Sequence, residues 1–381
     1  MAEIFDTAIV GGGIAGVSLA YFLAGERSVV VLEQETALGY HASGRSAAEF
    51  AFRFHSPVAG KLAAISYPFL TNPPAGFTET ALLKRRGNLL IANAEKADQL
   101  AAVFAAESAA GSSSGSKLVR MTVDEALERA PIINPDWVVD ACYDPDCWDI
   151  EAESLLQGCA KGARARGAAI RTGAAVAAAR RADGHWLLDT LAGEVRAKTV
   201  VNAAGAWADR TARMFGLSPL GIVPYRRTAI TVDLPAGIDA GALPEICEID
   251  ELFYMKPEAG RLLVSPADAT ESEPCDAQPE EIDVAYAAWY LEQATTVPVT
   301  HVAHSWAGLR TFAPDRVPVV GYSSEAEGFF WLAGQGGFGI QTAPALGRFA
   351  AETLLGRPAP ADYAAHDLAA STFSPGRLER R

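Results

Sequence analysis

The strongest constraint on the fold is the segment from residue 4 to residue 33. It opens with an apolar, β-branched run at 4–10, which is too short for a helix and typical of a buried strand. A G-x-G-x-x-G sequence follows at 11–16, then an alanine-rich helical stretch to Ala24 and a second apolar run that ends at Glu33. This order of strand, glycine turn, helix, strand and acid predicts a Rossmann-type βαβ unit that binds a dinucleotide.

The chemistry of this segment narrows the ligand. Glycine permits the tight turn and lets the backbone approach a pyrophosphate, while the helix N-terminus offers free N–H groups and the positive end of its dipole. Glu33 stands 22 residues after Gly11, where a carboxylate accepts a hydrogen bond from a ribose 2′-hydroxyl. An acid at this position, rather than a base, favours an unphosphorylated ribose, as in NAD or FAD.

Composition argues against several classes of function. A chain of 381 residues predicts two domains, and a net charge of −14 without a basic patch argues against nucleic acid or an anionic membrane surface as a partner. No apolar run has the length of a transmembrane helix, and no signal peptide is expected before the first strand. The five cysteines form no C-x-x-C pair, which predicts reduced thiols in a cytoplasmic protein and no metal site.

The rest of the chain indicates that the first domain is discontinuous. A nicotinamide enzyme would continue with further βα units after Glu33, whereas this chain has a polar Gly/Ser segment at 39–48, predicted to enter a helix, which favours a flavin. A buried strand at 199–204 runs into small residues, as at 11–16, so we expect it in the same domain. A strand at 82–92 and period-two alternation from 225 to 265 predict a separate antiparallel sheet.

Several motifs together resemble one family. The glycine fingerprint, HASGRS at 41–46, NAAGAW at 202–207, WAGLR at 306–310 and GQGGFGIQ at 334–341 occur in the order and spacing of the D-amino-acid oxidase family of FAD-dependent oxidoreductases. The resemblance covers nearly the whole chain. Four segments, GYHASGRSAA, NPPAGF, DELFYMKP and EGFFWLAGQGGFGIQT, are similar to the bacterial D-arginine dehydrogenases of that family.

The resemblance implies an α/β fold with two interleaved domains. A Rossmann-type, glutathione-reductase-like FAD-binding domain would comprise residues 1–81, 150–220 and 305–381. An α+β substrate-binding domain, built on the antiparallel sheet, would comprise residues 82–149 and 221–304.

The cofactor implied by the resemblance is noncovalent FAD. Sarcosine-oxidase relatives attach the flavin to a C-terminal cysteine, and no cysteine follows Cys275 here. The helix that follows 334–339 would direct its N-terminus at the flavin and stabilise negative charge on the reduced ring. The residues implied to contact the cofactor are Gly11, Gly13, Ile14, Ala15, Gly16, Glu33, Gln34, His41, Ser43, Gly44, Arg45, Ser46, Ala47, Ala48, Val176, Asn202, Ala203, Ala204, Gly205, Trp207, Arg310, Gly334, Gly336, Gly337, Phe338, Gly339, Ile340 and Gln341.

The substrate would be an amino acid held by its carboxylate. The family pairs an arginine with the α-carboxylate and adds a tyrosine hydroxyl, and the matching positions are Arg310 and Tyr254. An arginine suits this role because its planar fork binds a carboxylate through two hydrogen bonds. Arg227 and Gln341 complete the implied catalytic set, and strand alternation allows only one of Arg226 and Arg227 to face the site.

Three further positions, Glu49, Phe54 and Asn88, match the substrate pocket. In the D-arginine dehydrogenase pattern a glutamate holds the distal cation of the substrate, and Asn88 occupies that position here. Phe54 occupies the position of a tyrosine over the pocket. These differences predict a preference for neutral D-amino acids, unless Glu49 faces inward and restores the anion.

The function implied is oxidative deamination of D-amino acids to 2-oxo acids and ammonia, by hydride transfer from Cα to flavin N5. A dehydrogenase that passes electrons to a quinone or another carrier is the leading interpretation. We expect the protein to be cytoplasmic, and a peripheral association with the inner membrane is the alternative. The alternatives are an oxidase of D-amino acids or small secondary amines that produces hydrogen peroxide, a flavin-binding protein without an amine substrate, and a nicotinamide dehydrogenase.

Overall fold

The structure is a computed structural model that describes residues 3–53, 56–110 and 118–379. The sequence GSSSGS at 111–116 therefore lies outside the described residues. Helices in the described part of the chain are α1 (Ile14–Leu23), α2 (Pro57–Thr71), α3 (Ala97–Ala110), α4 (Val123–Arg129), α5 (Ala152–Ala165), α6 (Ala208–Met214), α7 (Glu281–Ala294), α8 (Gly339–Leu354), α9 (Ala361–Ala365) and α10 (Ala370–Phe373).

The strands belong to three sheets. In chain order they are β1 (Glu3–Val10), β2 (Val29–Leu32), β3 (Glu49–Ala51), β4 (Leu83–Arg85), β5 (Asn88–Ala92), β6 (Val119–Met121), β7 (Asp140–Asp144), β8 (Cys147–Ile150), β9 (Ala169–Arg171), β10 (Val176–Ala182), β11 (His185–Thr190), β12 (Gly193–Asn202), β13 (Val223–Val232), β14 (Glu245–Glu248), β15 (Tyr254–Glu258), β16 (Arg261–Ser265), β17 (Thr270–Glu271), β18 (Val302–Phe312), β19 (Val319–Tyr322), β20 (Phe329–Ala333) and β21 (Gln335–Gly336).

The first sheet has a parallel core in the order β9-β2-β1-β12-β20. Strands β10, β11 and β19 extend it with antiparallel pairing. Side chains alternate across β20: Phe330 packs with α1, α2 and α8 on one face, and Phe329 packs with α6 and the β10–β11 side on the other. Both faces are buried, which explains why these strands are continuous apolar runs. The Rossmann-type α/β fold predicted from the βαβ segment is confirmed.

The second sheet has the order β21-β18-β13-β16-β15-β14-β5-β7-β6, with β17 beside β13. Its pairs are antiparallel except for β14 with β5. Helices α4 and α7 contribute to one buried apolar cluster with this sheet, around Ile230, Met255 and Leu291. An antiparallel sheet separate from the first is therefore present, and the proposed domain boundaries stay a prediction.

Three local predictions were wrong. The strand expected over 82–92 is two strands in different sheets, because Gly87 turns the chain at a φ of +77° beside the ring of Tyr143. The Gly/Ser segment enters strand β3 instead of a helix, since residues 49–51 pair with β8 in a small third sheet. The buried strand expected at 199–204 is the last part of a longer strand, β12, which begins at Gly193 and ends at Asn202. No helix in the described ranges is both long enough and apolar enough to cross a membrane.

Candidate active site

Two cavities share a wall between the first and second sheets. The residues that line both include Gly13, Ser43, Ala203, Gly308 and Leu309. The second cavity extends from this wall to Glu33, which directly follows the parallel strand β2, and to Val176, which begins β10. The first cavity extends the other way, to the second sheet. Together they form an elongated site at the carboxyl edge of the parallel sheet, where nucleotides bind in open α/β folds.

The glycine turn between β1 and α1 touches the strand beside it. Gly11 has a φ of +113°, and a Cβ there would lie 2.3 Å from the carbonyl oxygen of Ala203. A Cβ on Gly16 would lie 2.0 Å from the carbonyl oxygen of Gly11. No side chain caps α1 at Gly13, and the Ser43 hydroxyl accepts the Ile14 N–H at 3.0 Å. The turn is thus a backbone cradle that only glycine can form.

Glu33 is held at the end of β2 by two backbone donors. The Gly12 N–H donates to Glu33 Oε2 at 2.6 Å, and the Glu35 N–H donates to Oε1 at 2.8 Å. Burial raises the pKa of Glu33, and the two N–H donors act in the opposite direction. The carboxylate lines the second cavity, where the sequence predicts a ribose.

The loop after β2 is fixed by side chains that also line the site. His41 bonds the Glu35 carboxylate through Nε2 at 2.9 Å, and its ring centroid lies 4.6 Å from that of Trp207. The Arg45 guanidinium pairs with Asp276 and donates to the carbonyl oxygens of Ala277 at 2.9 Å and Ala307 at 3.0 Å. The charge of Arg45 is therefore engaged by the protein, although the residue lines both cavities.

Most of the residues predicted to contact the cofactor line one cavity or both, and four line neither. One of the four, Asn202, holds the adjacent backbone: its side chain donates to the Ala208 carbonyl at 2.8 Å and accepts the Ala204 N–H at 3.3 Å. The four are Gly16, Gly44, Asn202 and Gly334.

Arg310 lines the first cavity, and its cation has no partner among the residues that the structure describes. Its guanidinium carbon lies 5.9 Å from the ring centroids of both Phe312 and Phe338. A Cβ on Gly337 would lie 1.7 Å from Nη2, so the glycine leaves room for the guanidinium. Burial, followed by the charge of Arg227, lowers the pKa of Arg310 to about 10. Arg310 makes no hydrogen bond or ion pair with any residue in the described part of the chain, which suits it to an anionic ligand.

Arg227 and Tyr254 line the cavity beside Arg310. The Arg227 guanidinium carbon lies 5.9 Å from the Tyr254 ring centroid, and Nε donates to the Asp268 carbonyl at 2.7 Å. Arg226 points to the other side of β13, where it pairs with Glu280 at 2.6 Å. Strand alternation thus places only Arg227 in the cavity.

Part of the lining of the first cavity is acidic. Glu49 lines it, and its Oε1 lies 3.5 Å from Asn88 Nδ2 and 3.1 Å from Cys147 Sγ. Glu245, which sequence reasoning missed, also lines the cavity and is 3% exposed. Burial and the neighbouring Glu49 raise the pKa of Glu245 well above its usual range. Asn88 itself is not in the cavity lining, and Phe54 lies outside the described residues.

Two glutamines complete the first cavity. The Gln341 side chain is buried, and its Oε1 accepts the Ala51 N–H at 3.4 Å. Gln335, also missed by sequence reasoning, lines the cavity with a buried Nε2 that has no hydrogen-bond partner among the described residues. Its position inside the glycine run at 334–339 is the signal that could have identified it.

Comparison with known proteins identifies the family. The family model described as FAD dependent oxidoreductase (DAO) matches residues 6–353, which include the βαβ segment, both sheets and the residues of both cavities. The chain belongs to this family.

The following relatives are named after amine or amino-acid substrates. Dimethylglycine dehydrogenase from Rattus norvegicus is 28% identical over 94% of this chain, but the match spans only 44% of that relative's length. Glycine oxidase from Geobacillus kaustophilus is 27% identical over 93% of this chain and 94% of its own. A crystal structure of that glycine oxidase superposes with a TM-score of 0.80 at 26% identity and covers both chains completely. L-proline dehydrogenase from P. horikoshii shares the fold, with a TM-score of 0.80 at 21% identity.

The cofactor of the DAO family is FAD, and the residues present fit it. The cradle at Gly11 and the uncapped start of α1 provide the close approach and the N–H groups that a pyrophosphate requires. Glu33 lines the second cavity, where its carboxylate can accept a hydrogen bond from a ribose hydroxyl. In the first cavity, the buried Nε2 of Gln335 finds no acceptor within the described ranges, as expected of a donor that faces a ring with carbonyl groups. The residues of the two cavities therefore fit FAD, the cofactor of the family to which the chain belongs.

Proposed function

We propose that this protein oxidises the Cα–N bond of free D-amino acids, as a dehydrogenase. The observation that carries the proposal is the unpaired guanidinium of Arg310 in the first cavity. A substrate carboxylate would supply the missing counter-charge, and Tyr254 beside it offers a hydroxyl donor. The D configuration rests on the likeness of the sequence motifs.

The chain's own residues would bind and orient the substrate. Arg310 and Tyr254 would hold the carboxylate, so that the Cα–H bond takes one orientation in the cavity. When bound, FAD supplies the hydride acceptor, and the imino acid product is hydrolysed by water to a 2-oxo acid and ammonia. The catalytic roles of Arg227 and Gln341 stay proposals that their positions in the cavity lining support.

A second candidate function is oxidation of a small secondary amine or glycine, with hydrogen peroxide as a product. The names of the relatives, glycine oxidase and dimethylglycine dehydrogenase, favour it. We prefer a substrate with a side chain, because the cavity that contains Arg310 is also lined by Glu49 and Glu245.

The two candidates are separated by an anaerobic screen of flavin bleaching. The holoenzyme is mixed with each D- and L-amino acid, glycine and sarcosine, and the loss of flavin absorbance is recorded. We expect bleaching by one or more D-amino acids and little by their L-enantiomers. Bleaching by glycine or sarcosine alone would support the second candidate, and no bleaching at all would contradict both.

The electron acceptor is tested on the reduced protein. Rapid mixing with air-saturated buffer should give slow reoxidation, and a quinone or dye should give fast reoxidation, if the protein is a dehydrogenase. Fast reoxidation in air with formation of hydrogen peroxide would show an oxidase. A cytoplasmic location, with a quinone or other carrier as partner, stays part of the proposal.

A further inference from the structure

We propose that Glu245 and Glu49 determine specificity, by binding an ammonium or guanidinium group at the end of the substrate's side chain. This proposal rests on the proposed function, because it places the α-carboxylate at Arg310. It names the substrate class as D-amino acids with a cationic side chain. The sequence predicts neutral substrates unless Glu49 faces inward, and Glu49 lines the cavity.

The two carboxylates come from separate elements that meet in the acidic part of the cavity lining. Glu49 begins β3 and Glu245 begins β14. Cys147 on β8 links them, since its Sγ lies 3.1 Å from Glu49 Oε1 and 3.7 Å from Glu245 Oε2. One oxygen of each carboxylate and the sulfur all lie within 4.8 Å of one another. A single donor-rich group could therefore bond both carboxylates.

The charges around this pair do not balance. Lys256 donates to Asp149 at 2.9 Å and to the Ala47 carbonyl at 2.6 Å, so its ammonium is already bound. Arg86 pairs with the same Asp149 at 2.5 Å. Glu258, the other carboxylate near Lys256, is exposed to solvent. Among the buried and half-buried side chains of this group, the carboxylates of Asp149, Glu49 and Glu245 therefore outnumber the cations of Lys256 and Arg86 by one.

A buried carboxylate pair with one unmatched charge must take up a proton or a cation. Burial and the adjacent Glu49 favour protonation of Glu245 when the cavity holds no cation. A substrate cation would remove this cost, because it supplies the missing charge and several N–H donors at once. A neutral side chain of the same length supplies neither a positive charge nor N–H donors, so it would leave the cost of burying the two carboxylates unchanged.

The experiment compares D-lysine with D-norleucine, which has the same carbon chain and no ammonium group. Steady-state kcat/KM is measured on the holoenzyme with a dye acceptor. We expect the wild-type ratio of D-lysine to D-norleucine to exceed about tenfold, and Glu245→Gln and Glu49→Gln each to lower it by about tenfold. Glutamine keeps the shape, so flavin content and Tm should stay close to those of wild type.

Glu258→Gln is the matched control. Glu258 lies 3.9 Å from Lys256 on β15 and is not in the cavity lining, so its loss removes a nearby charge without touching the pocket. Its ratio should equal that of wild type. A wild-type ratio near one, or a ratio that neither cavity variant lowers, would overturn the inference. A ratio that falls on chelation would also overturn it, by showing a metal ion on the three groups. If neither amino acid reduces the flavin, the proposed function itself fails.

Discussion

Arg310 shows how one residue can be positioned for a ligand at the expense of the protein's own stability. A half-buried guanidinium that has no counter-ion among the described residues is unfavourable, and the lowering of the pKa of Arg310 to about 10 has the same cause. Gly337 leaves space for the group, and the ring centroids of Phe312 and Phe338 each lie 5.9 Å from its guanidinium carbon. An anion bound at Arg310 would supply the counter-charge and remove this unfavourable energy.

Replacement of Arg310 should abolish turnover without loss of the cofactor. Breaking a desolvated arginine–carboxylate pair costs about 2–5 kcal/mol, or roughly 30- to several-thousand-fold in kcat/KM. Arg310→Ala should show this loss, and Arg310→Lys should also be poor because an ammonium lacks the fork. Steady-state kinetics, with the flavin spectrum as control, measure it. A loss below threefold in both variants would place the carboxylate elsewhere.

The same residue predicts a gain in stability. Folding lowers the pKa of Arg310, so the charged guanidinium reduces the free energy of unfolding at every pH below about 10. This destabilisation decreases as the pH rises through about 10, because the folded protein then loses the charge. Arg310→Met should therefore raise the free energy of unfolding at pH 7 by about 1–2 kcal/mol. Equilibrium unfolding in urea, at pH 7 without substrate, tests this. A less stable variant would mean that the guanidinium has a stabilising partner in the fold.

At the scale of elements, the junction of β1, α1 and β12 is where the fold becomes a binding site. The Gly11 turn packs directly on the backbone at 203–204, so the cradle depends on the register between β1 and β12 as much as on its own glycines. The pair β13–β18 has the corresponding role in the second sheet, because it places Tyr225 opposite Arg310 and Arg227 opposite Gly308.

Gly11→Ala should cost both the cofactor and stability. The new Cβ meets the Ala203 carbonyl at 2.3 Å in a backbone conformation that alanine disfavours, and together these cost about 2–4 kcal/mol. Gly184→Ala is the control, since its φ of +73° is also positive but no atom lies within 4 Å of the new Cβ. The ratio of flavin to protein absorbance and the Tm report the difference. Equal effects would mean that strain alone, without the contact, decides the outcome.

At the scale of the whole molecule, the cofactor site spans the sheets and uses no cysteine that suits a covalent bond. Cys275 lines the second cavity, away from Arg310, and Cys247 lines the first. Burial, together with the carboxylate of Glu245, raises the pKa of the Cys247 thiol well above its usual range, which keeps it protonated and unreactive. The site can therefore hold FAD by shape, hydrogen bonds and the helix terminus.

Acid precipitation should release the cofactor completely. The purified protein should be yellow, and all of the FAD should enter the supernatant when the protein is denatured, because no bond ties it to the chain. Absorbance of the supernatant and of the redissolved pellet measures the two fractions. Yellow colour that stays with the pellet would show a covalent link, and mass spectrometry of Cys247 and Cys275 peptides would locate it.

The sequence alone determined the features that depend on neighbouring residues. The periodic apolar runs at 4–10 and 199–204, the glycine turn and Glu33 specify a Rossmann-type unit, because strand period, turn geometry and helix start are local properties. The alternation of side chains along one strand likewise predicted that only one of Arg226 and Arg227 faces the site. The resemblance to the family then assigned Arg310, Tyr254 and Gln341 to one site, and all three line the same cavity.

Only the tertiary structure decided what lies together in the acidic part of that cavity. Glu49 and Cys147 are 98 residues apart in the chain, and Cys147 and Glu245 are another 98 apart. They meet because Gly87 divides a predicted strand between two sheets, so that β3 and β8 lie beside β5 and β14. No local pattern encodes such a meeting, since it depends on strand register and on how separate sheets pack. The sequence therefore pointed to Glu49 as a pocket residue, but its pairing with Glu245 could not be predicted from it.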